Sequence, residues 1–198
     1  MNSSREKILA AVSKNKPSLV PLPDVIIEAA HDPLVLVAQF AFMLQSIGAT
    51  VINTESTRSI QDDLQSDEST GGTIINTIES IGAISKGVNV TSDALSLEAV
   101  EVAYISGTLG VAENGAIWLE ESKMVNRLLP FICQHLVIVL EAANIVANMH
   151  EAYKQITIDK EGYGVFLAGP SKTADIEQSL VIGAHGAKSL RVYIISPQ

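Results

Sequence analysis

The chain has 198 residues, which is enough to bury a full hydrophobic core, and one domain with a short appendage is the natural count. Its 22 acidic residues outnumber 13 scattered basic residues, so the net charge is −9. Binding to nucleic acid or to an anionic membrane requires clustered Lys and Arg side chains. The composition therefore argues against both kinds of partner.

The single cysteine, Cys133, precedes an apolar run at residues 136–140 and is predicted to be a small buried hydrophobe. One thiol forms no intramolecular disulfide and cannot hold an iron–sulfur cluster, which needs about four such ligands. The chain also lacks a Gly-x-Gly-x-x-Gly dinucleotide turn and a histidine pair with metal-ligand spacing. We therefore predict no metal and no cofactor on this chain, so that any redox cofactor would lie on a partner.

The first residues run directly into a mixed-charge segment without the long apolar core of a secretory signal, which predicts a cytoplasmic protein. An uncharged stretch at residues 33–54 is long enough to suggest a membrane span. Polar residues and Gly48 interrupt it, and such a glycine is typical of the end of a helix. We interpret the stretch as a buried helix followed by a strand.

The N-terminus is predicted to be a separable arm. A polar residue within positions 2–4 can cap a first helix, in which Ile8, Leu9 and Val12 form an apolar stripe. Three prolines between positions 14 and 24 then indicate an extended linker. We expect residues 1–24 to form this arm and residues 25–198 the main domain, with the stripe docking on the body or on another subunit of a homo-oligomer.

The rest of the chain alternates helices with apolar strands. Asp32 and Pro33 are typical of a helix cap and a first helical position, so a helix is predicted from there to about Ile47. Further helices are predicted at residues 56–65 and 143–155, and strands at residues 49–54, 73–77, 100–105, 135–140, 163–168 and 190–195. Apolar strands without clean alternation, separated by helices, indicate an α/β fold with a mainly parallel, helix-covered sheet.

The turn after residue 168 has the most informative pattern, Gly169-Pro170-Ser171-Lys172-Thr173-Ala174-Asp175-Ile176-Glu177. Ser171 or Thr173 can cap a helix, and Asp175 would complement the positive end of its dipole. The turn is either a tight strand-to-helix connection or an anion cradle of free backbone amides, two hydroxyls and Lys172. A helix start at the carboxyl end of a strand is where open α/β sheets place their ligands.

Asn114 and Gly115 lie between two apolar runs and predict a hairpin. Asn-Gly is the favoured two-residue hairpin turn, and residues 105–112 would pair across it with residues 116–120. A hairpin of this kind is explained by structure alone and does not by itself indicate a functional site.

Two other side chains suit ligand binding. Arg127 precedes an apolar stretch and is either a helix-end or surface charge or a bidentate partner for a carboxylate. His185 is either an exposed loop histidine or a ligand contact, because Gly183 and Gly186 would let its backbone and imidazole approach a ligand closely.

The same segments carry a family resemblance. The run at residues 169–177 is followed by Gly183-Ala184-His185-Gly186, and upstream lie Ser106-Gly107-Thr108, Gly110-Val111-Ala112-Glu113-Asn114-Gly115 and Arg127-Leu128-Leu129-Pro130. In order and spacing, they resemble the LUD-domain family, specifically its lactate utilization protein C branch, across roughly the C-terminal half. Asn114 stands where the family usually has Thr or Ser, and Ala116 where it usually has Thr.

The resemblance implies a fold similar to that of coenzyme A transferases and sugar-phosphate isomerases. It also implies a cytoplasmic subunit that acts with iron–sulfur partner proteins in the oxidation of L-lactate to pyruvate, with the clusters on the partners. Two alternatives stay open. One is a stand-alone enzyme or binder of a small phosphorylated or carboxylated metabolite, and the other is a non-catalytic scaffold.

On this resemblance, Glu113 is the candidate catalytic acid or base, or a hydrogen-bond acceptor for the ligand. The expected ligand-binding residues are those of the shared segments, namely Ser106, Gly107, Thr108, Arg127, Gly169, Ser171, Lys172, Thr173, Asp175 and His185. If the hydroxyls at positions 114 and 116 contact a ligand in relatives, this chain has lost those contacts.

Overall fold

The computed structural model describes residues 3–21, 23, 32–85, 93–157, 162–173 and 181–196. The α-helices in these ranges are α1 (Ser4–Lys14), α2 (Pro33–Ser46), α3 (Arg58–Ser69), α4 (Ala94–Leu97), α5 (Glu121–Met124), α6 (Leu129–Ile132) and α7 (Met149–Gln155). The strands are β1 (Thr50–Thr54), β2 (Thr73–Asn76), β3 (Val100–Ser106), β4 (Leu109–Val111), β5 (Ala116–Glu120), β6 (His135–Glu141), β7 (Ile145–Val146), β8 (Gly164–Leu167), β9 (Lys172–Thr173), β10 (Val181–Ile182) and β11 (Ser189–Ile195). Within the described ranges, no helix is both long enough and apolar enough to cross a membrane.

A five-stranded sheet in the order β1-β11-β6-β3-β2 forms the centre of the fold, and all of its neighbouring strands are parallel. The register places Leu136 of β6 between Leu190 of β11 and Ala103 of β3. The middle strand β6 is a continuous apolar run over residues 136–140, as expected where both faces of a sheet are covered. The prediction of a mainly parallel, helix-covered sheet is confirmed.

Two helices cover opposite faces of this sheet. α3 places Ile60 and Leu64 on one face, in a cluster with the buried rings of Tyr104 and Tyr193. α2 places Phe40 and Leu44 in the larger cluster on the other face. Burying each such apolar side chain contributes about 1.5–3 kcal/mol, so these two helices hold the sheet from both sides.

A second sheet, in the order β7-β4-β5-β8, packs against α2 on that face. β5 lies between β4 and β8 and is antiparallel to both. The approach to α2 is close, since a Cβ atom at Gly110 would lie 3.0 Å from the ring of Phe40. The strand predicted at residues 163–168 therefore belongs to this sheet and not to the parallel one.

The predicted hairpin forms, but the prediction of its bounds is wrong. Ile105 belongs to β3 of the central sheet, and the loop between Val111 and Ala116 has four residues instead of two. The Asn114 side chain accepts a hydrogen bond from the Ala116 N–H at 3.0 Å, and Gly115 adopts a positive φ of 72°. The loop is longer because the chain leaves β4 to bond with the backbone after β7.

The helix predicted at residues 143–155 is also wrong in its first half. Ile145 and Val146 form β7, which pairs with β4, and α7 begins only at Met149. The Asn148 side chain caps α7 by accepting from the Glu151 N–H at 3.0 Å. Pairing with β4 therefore overrides the helical propensity of the alanines before this cap.

The turn that was predicted to lead into a helix contains a short strand, and residues 174–180, over which that helix was predicted, lie outside the described residues. β9 pairs with β10 in an antiparallel hairpin, while Asp175 and Glu177 lie outside the described residues. The Ser171 N–H donates to the Ala187 carbonyl at 2.9 Å, and the Gly183 N–H donates to the Ser171 carbonyl at 3.0 Å. Backbone pairing thus uses both the amide and the carbonyl group of Ser171.

The helix starts near the N-terminus agree with their sequence signals. Ser3 and Glu6 form a reciprocal capping box on α1, and Asp32 accepts from the Leu34 N–H at the start of α2. Residues 33–54 form α2 and β1, as predicted. The expectation of a buried helix holds for one face of α2 only, because Phe42 and its neighbours on the outer face are exposed.

Candidate functional site

A cleft of about 290 Å³ lies between three segments of the C-terminal half. Its walls are residues 166–172, residues 185–187, and Pro130 with Phe131 of α6. We call it the signature cleft, because four of the residues predicted from the family resemblance, Gly169, Ser171, Lys172 and His185, line it. These residues are separated in sequence, and the fold brings them together.

The signature cleft lies near the amino ends of β6 and β11, since the lining residues Pro130 and Phe131 precede β6 and residues 185–187 precede β11. The turn follows the carboxyl end of a strand, as expected, but that strand is not part of the parallel sheet. The preceding strand is β8, which belongs to the antiparallel second sheet.

Two glycines allow the walls of the cleft to approach each other and α2. Gly169 is buried with φ 75°, and a Cβ atom there would lie 3.1 Å from the Ile47 carbonyl oxygen. A Cβ atom at Gly186 would lie 3.1 Å from the Cβ of Ser171. The positive φ favours glycine at position 169, and at position 186 a larger side chain would require Ser171 to shift by a few tenths of an ångström.

Lys172 supplies the positive charge of the cleft. Its exposed side chain extends from β9, and its Nζ donates to the Ile47 carbonyl oxygen at 2.5 Å. Ile47 is the residue that ends α2, so the ammonium group also complements the negative end of that helix dipole. Two further donors of the Nζ group remain to be directed at a ligand.

The other lining residues supply a hydroxyl, an imidazole and an apolar wall. Within the described part of the chain, the Ser171 hydroxyl makes no hydrogen bond, and no carboxylate lines the cleft. His185 is exposed at the rim. Phe131 and Phe166 also line the cleft, and the Phe166 ring packs against Trp118, with ring centroids 4.8 Å apart. Neither residue was predicted from the sequence, because they come from segments with no local signal linking them.

Glu113 borders this region without lining the cleft. Its carboxylate accepts a hydrogen bond from the Met149 N–H at 3.0 Å, which places it at the start of α7. The register of β5 with β8 pairs Ile117 with Leu167, so the loop that holds Glu113 lies at the same end of the second sheet as Gly169. The described contacts of Glu113 therefore stabilise a helix end.

Arg127 lies at the other end of β8. Its guanidinium group makes two hydrogen bonds to the Glu121 carboxylate, at 2.6 and 2.9 Å, and stacks over the Tyr163 ring at 4.8 Å. The hydrogen bonds from Arg127 hold the pKa of Glu121 below its usual range. Arg127 thus already grips a carboxylate of its own chain, and the structure does not bring it into the signature cleft.

Ser106, Gly107 and Thr108 connect the two sheets at the carboxyl end of β3. The Gly107 N–H donates to the Val139 carbonyl at 2.8 Å, and the Thr108 N–H donates to the Trp118 carbonyl at 2.9 Å. The Thr108 hydroxyl is buried and has no hydrogen-bond partner among the described residues. Of the remaining predicted residues, Thr173 of β9 pairs with Val181 of β10, and Asp175 is outside the described ranges.

A polar cluster under α3 was not predicted from the sequence. The Tyr104 hydroxyl donates to Asp67 at 2.5 Å, the Tyr193 hydroxyl donates to Asp63, and Arg191 donates to Asp63 at 3.1 Å. Burial and the hydrogen bond to Asp63 raise the pKa of Tyr193 to about 12, and burial raises the pKa of Tyr104 still further. These pairs join α3 to the central sheet.

Cys133 is buried, as predicted, and burial raises the pKa of its thiol to about 12. A thiol with so high a pKa is a poor nucleophile at neutral pH. Among the described residues, no group of three or more His, Cys, Asp or Glu side chains is arranged to hold a metal ion.

Residues 96–195 of the chain match the LUD domain, which is just over half of its length. The chain belongs to the LUD-domain family. This confirms the family resemblance, whose shared segments fall within the matched residues.

The matched relatives include several proteins named lactate utilization protein C. The one from Shouchella clausii is 32% identical over 99 residues, which cover 46% of this chain and 43% of the relative. The one from Bacillus pumilus is 33% identical over 82 residues, covering 38% and 34%. The chain therefore matches less than half the length of each of these relatives.

A crystal structure of a DUF162 family protein from Deinococcus radiodurans shares the fold. Its TM-score is 0.62 at 13% sequence identity, and the superposition covers 84% of this chain and 99% of that one. At this identity the likeness establishes the α/β architecture alone.

Proposed function

We propose that this protein is a lactate utilization protein C-like subunit that acts with iron–sulfur partner proteins in the cytoplasmic oxidation of L-lactate to pyruvate. In this role the signature cleft binds the carboxylate of the hydroxy acid or keto acid. The observation that carries the proposal is that the fold gathers Ser171, Lys172 and His185 of the family signature around one small cleft.

The names of the relatives support lactate as the substrate in this proposal. Several matched proteins are called lactate utilization protein C, and the matched region includes every residue of the cleft. The cleft, at about 290 Å³, lies near the lower limit of ordinary ligand pockets. This size suits an acid of a few carbon atoms better than a nucleotide.

The chemistry of the cleft supports carboxylate binding. The Lys172 ammonium group and the Ser171 hydroxyl are donors, and no described lining residue offers a competing carboxylate. The exposed Phe131 would receive the apolar end of the ligand. Because the chain has a net charge of −9, this local positive charge is what would overcome long-range repulsion of an anion.

Oxidation of lactate to pyruvate releases two electrons and two protons, so the reaction needs an electron acceptor. The one cysteine of this chain cannot supply the ligands of a cluster. In the proposed role this protein therefore binds and orients the acid, while the electrons leave through clusters on the partner proteins.

The second candidate is a stand-alone enzyme or binder of a small phosphorylated metabolite. The same Lys172 and Ser171 donors favour it, because phosphate also takes charge-assisted hydrogen bonds. If no small anion binds, the third interpretation applies, in which the protein is a non-catalytic scaffold.

The proposal is tested by reconstitution with the iron–sulfur proteins that copurify with the chain. L-lactate should bleach the visible absorbance of the clusters when this protein is present, and much more slowly when it is omitted. Lys172→Ala should act like omission, whereas Lys154→Ala, which removes an equivalent exposed charge on α7, should act like wild type. Cluster reduction that proceeds equally well without this protein would contradict the proposal.

A further inference from the structure

The N-terminal helix α1 is a complete helix that packs on no other described part of the chain. It begins with the Ser3–Glu6 capping box, yet none of its residues, all of which the structure describes, is buried. Ile8, Leu9 and Val12 form one apolar stripe and are 63%, 53% and 55% exposed. An isolated helix of this length is only marginally stable in water, so the stripe indicates a packing partner.

Among the described residues, the outer face of α2 exposes a second set of apolar side chains, with the polar residues Gln39 and Ser46 between and beside them. Leu34 is 81% exposed and Phe42 is 67% exposed, and Val35 lies two helical turns before Phe42 on the same side. The helix has no charged residue over its 14 positions, although the whole chain has a net charge of −9. We call this surface the α2 face.

The arm and the body have net charges of opposite sign. Residues 1–24 contain four basic and two acidic residues, for a net charge of +2, while residues 25–198 contain nine basic and 20 acidic residues, for a net charge of −11. Two bodies of this charge repel each other. A basic helix placed between them offsets that repulsion and is attracted to either body.

We propose that two copies of this chain form a dimer by exchanging their arms, so that the α1 stripe of each copy packs on the α2 face of the other. The exchange is reciprocal. The two contacts between α1 and the α2 face are therefore equivalent and are related by one two-fold axis. Each contact pairs an apolar helical stripe with an uncharged helical face, and the basic residues of α1 then lie beside an acidic body.

The linker is long enough for exchange. Residues 15–31 join α1 to α2 and include Pro17, Pro21 and Pro23. Prolines favour extended spacers with a reach of about 3.1 Å per residue, so a sequence of this length allows α1 to contact the α2 face of a neighbouring copy.

The first test is the mass of the full-length protein in solution, by sedimentation velocity at concentrations up to about 100 µM. Wild type should be a dimer, and both Val12→Asp and Phe42→Asp should weaken dimerisation at least tenfold. Ala10→Asp is the matched control, because it adds the same charge on the opposite side of α1 and should leave the dimer intact. A monomeric wild type, or a Val12→Asp variant that dimerises like wild type, would overturn the proposal.

Cross-linking separates exchange from intramolecular docking. The one native cysteine is buried, so Val12→Cys combined with Phe42→Cys places the two accessible thiols on α1 and on the α2 face. Oxidation should give a covalent dimer on a non-reducing gel. A disulfide within one chain, seen as a faster-migrating monomer, would show that α1 docks on its own body and would refute the exchange.

Discussion

Two glycines and one lysine determine the shape of the signature cleft. The glycines have no side chain and let neighbouring segments approach closely, and the lysine side chain bonds to a distant segment. Gly169 lies against the end of α2, Gly186 lies against Ser171, and Lys172 reaches back to the Ile47 carbonyl. Each contact joins segments far apart in sequence. At the residue scale, the backbone geometry of one loop therefore forms the cleft, and the Lys172 ammonium group supplies its positive charge.

Gly169→Ala should destabilise the protein more than Gly71→Ala. Both glycines have a positive φ, 75° and 81°, and each substitution costs about 1–2 kcal/mol for that backbone conformation. At Gly71 nothing lies within 4 Å of the new methyl group, whereas at Gly169 it would lie 3.1 Å from a backbone oxygen. Urea unfolding should show the larger loss for Gly169→Ala, and equal losses would mean that the loop relaxes freely.

Glu113→Gln should retain both the stability of the protein and its activity in the reconstituted lactate assay. Gln keeps the oxygen that accepts from the Met149 N–H but loses the charge and the ability to act as a base. Glu113→Ala removes the cap and should cost about 1 kcal/mol in the free energy of unfolding. Loss of activity in Glu113→Gln with unchanged stability would instead identify Glu113 as a catalytic group.

At the scale of elements, the sheet is joined to α3 by two buried tyrosines that donate to carboxylates one turn apart. Tyr104 donates to Asp67 and Tyr193 donates to Asp63, with Arg191 beside both carboxylates. These bonds require the tyrosines to be protonated, since an ionised phenol cannot donate. The attachment of α3 is therefore sensitive to alkaline pH.

Stability should fall above pH 10 in a way that depends on Tyr193. An unfolded tyrosine ionises near pH 10, whereas the pKa of folded Tyr193 is raised to about 12, first by burial and then by its bond to Asp63. Its contribution is thus complete below pH 10 and is lost as the pH rises towards 12. Tyr193→Phe should lower the free energy of unfolding by about 1.5–3 kcal/mol at pH 8 and flatten the alkaline decline. Tyr153→Phe, at an exposed ring, is the control, and identical pH profiles for all three proteins would contradict this account.

The sequence predicted those elements whose signals are local. Ser3 and Asp32 cap the first two helices as expected, and the apolar runs at β3, β6 and β11 form the parallel sheet. Residues 143–148 were predicted as helix because the alanines favour it locally. The partner strand decides the structure of this segment, since β7 pairs with β4. In the same way, the capping signals at Ser171 and Thr173 did not reveal that β9 pairs with β10.

The site could be predicted only in part for the same reason. The family signature identified Gly169, Ser171, Lys172 and His185, and the structure places them in one cleft. It could not identify Phe131, which reaches the cleft from another segment. Nor could it show that Arg127 is held by Glu121, because a six-residue separation in sequence does not reveal an ion pair.

At the scale of the whole molecule, the arm and the body are joined by the proline-containing linker. Limited proteolysis should cut first within residues 15–24, because the described part of this segment is exposed and has no regular secondary structure. The expected product is a body fragment that retains the central sheet, seen by mass spectrometry. Cleavage first within residues 102–195 would show that the boundary between arm and body is misplaced.

The central claim is that the signature cleft binds a small carboxylate, and a calorimetric titration tests it most directly. L-lactate and pyruvate, with inorganic phosphate and a coenzyme A thioester as comparisons, are titrated into wild type, Lys172→Ala and Lys154→Ala. We predict saturable binding of lactate or pyruvate to wild type and Lys154→Ala, and a loss of about 1.5–3 kcal/mol in binding free energy for Lys172→Ala, as expected for a hydrogen bond to a charged group. Binding that is unchanged in Lys172→Ala, or no binding of either acid to wild type, would contradict the claim.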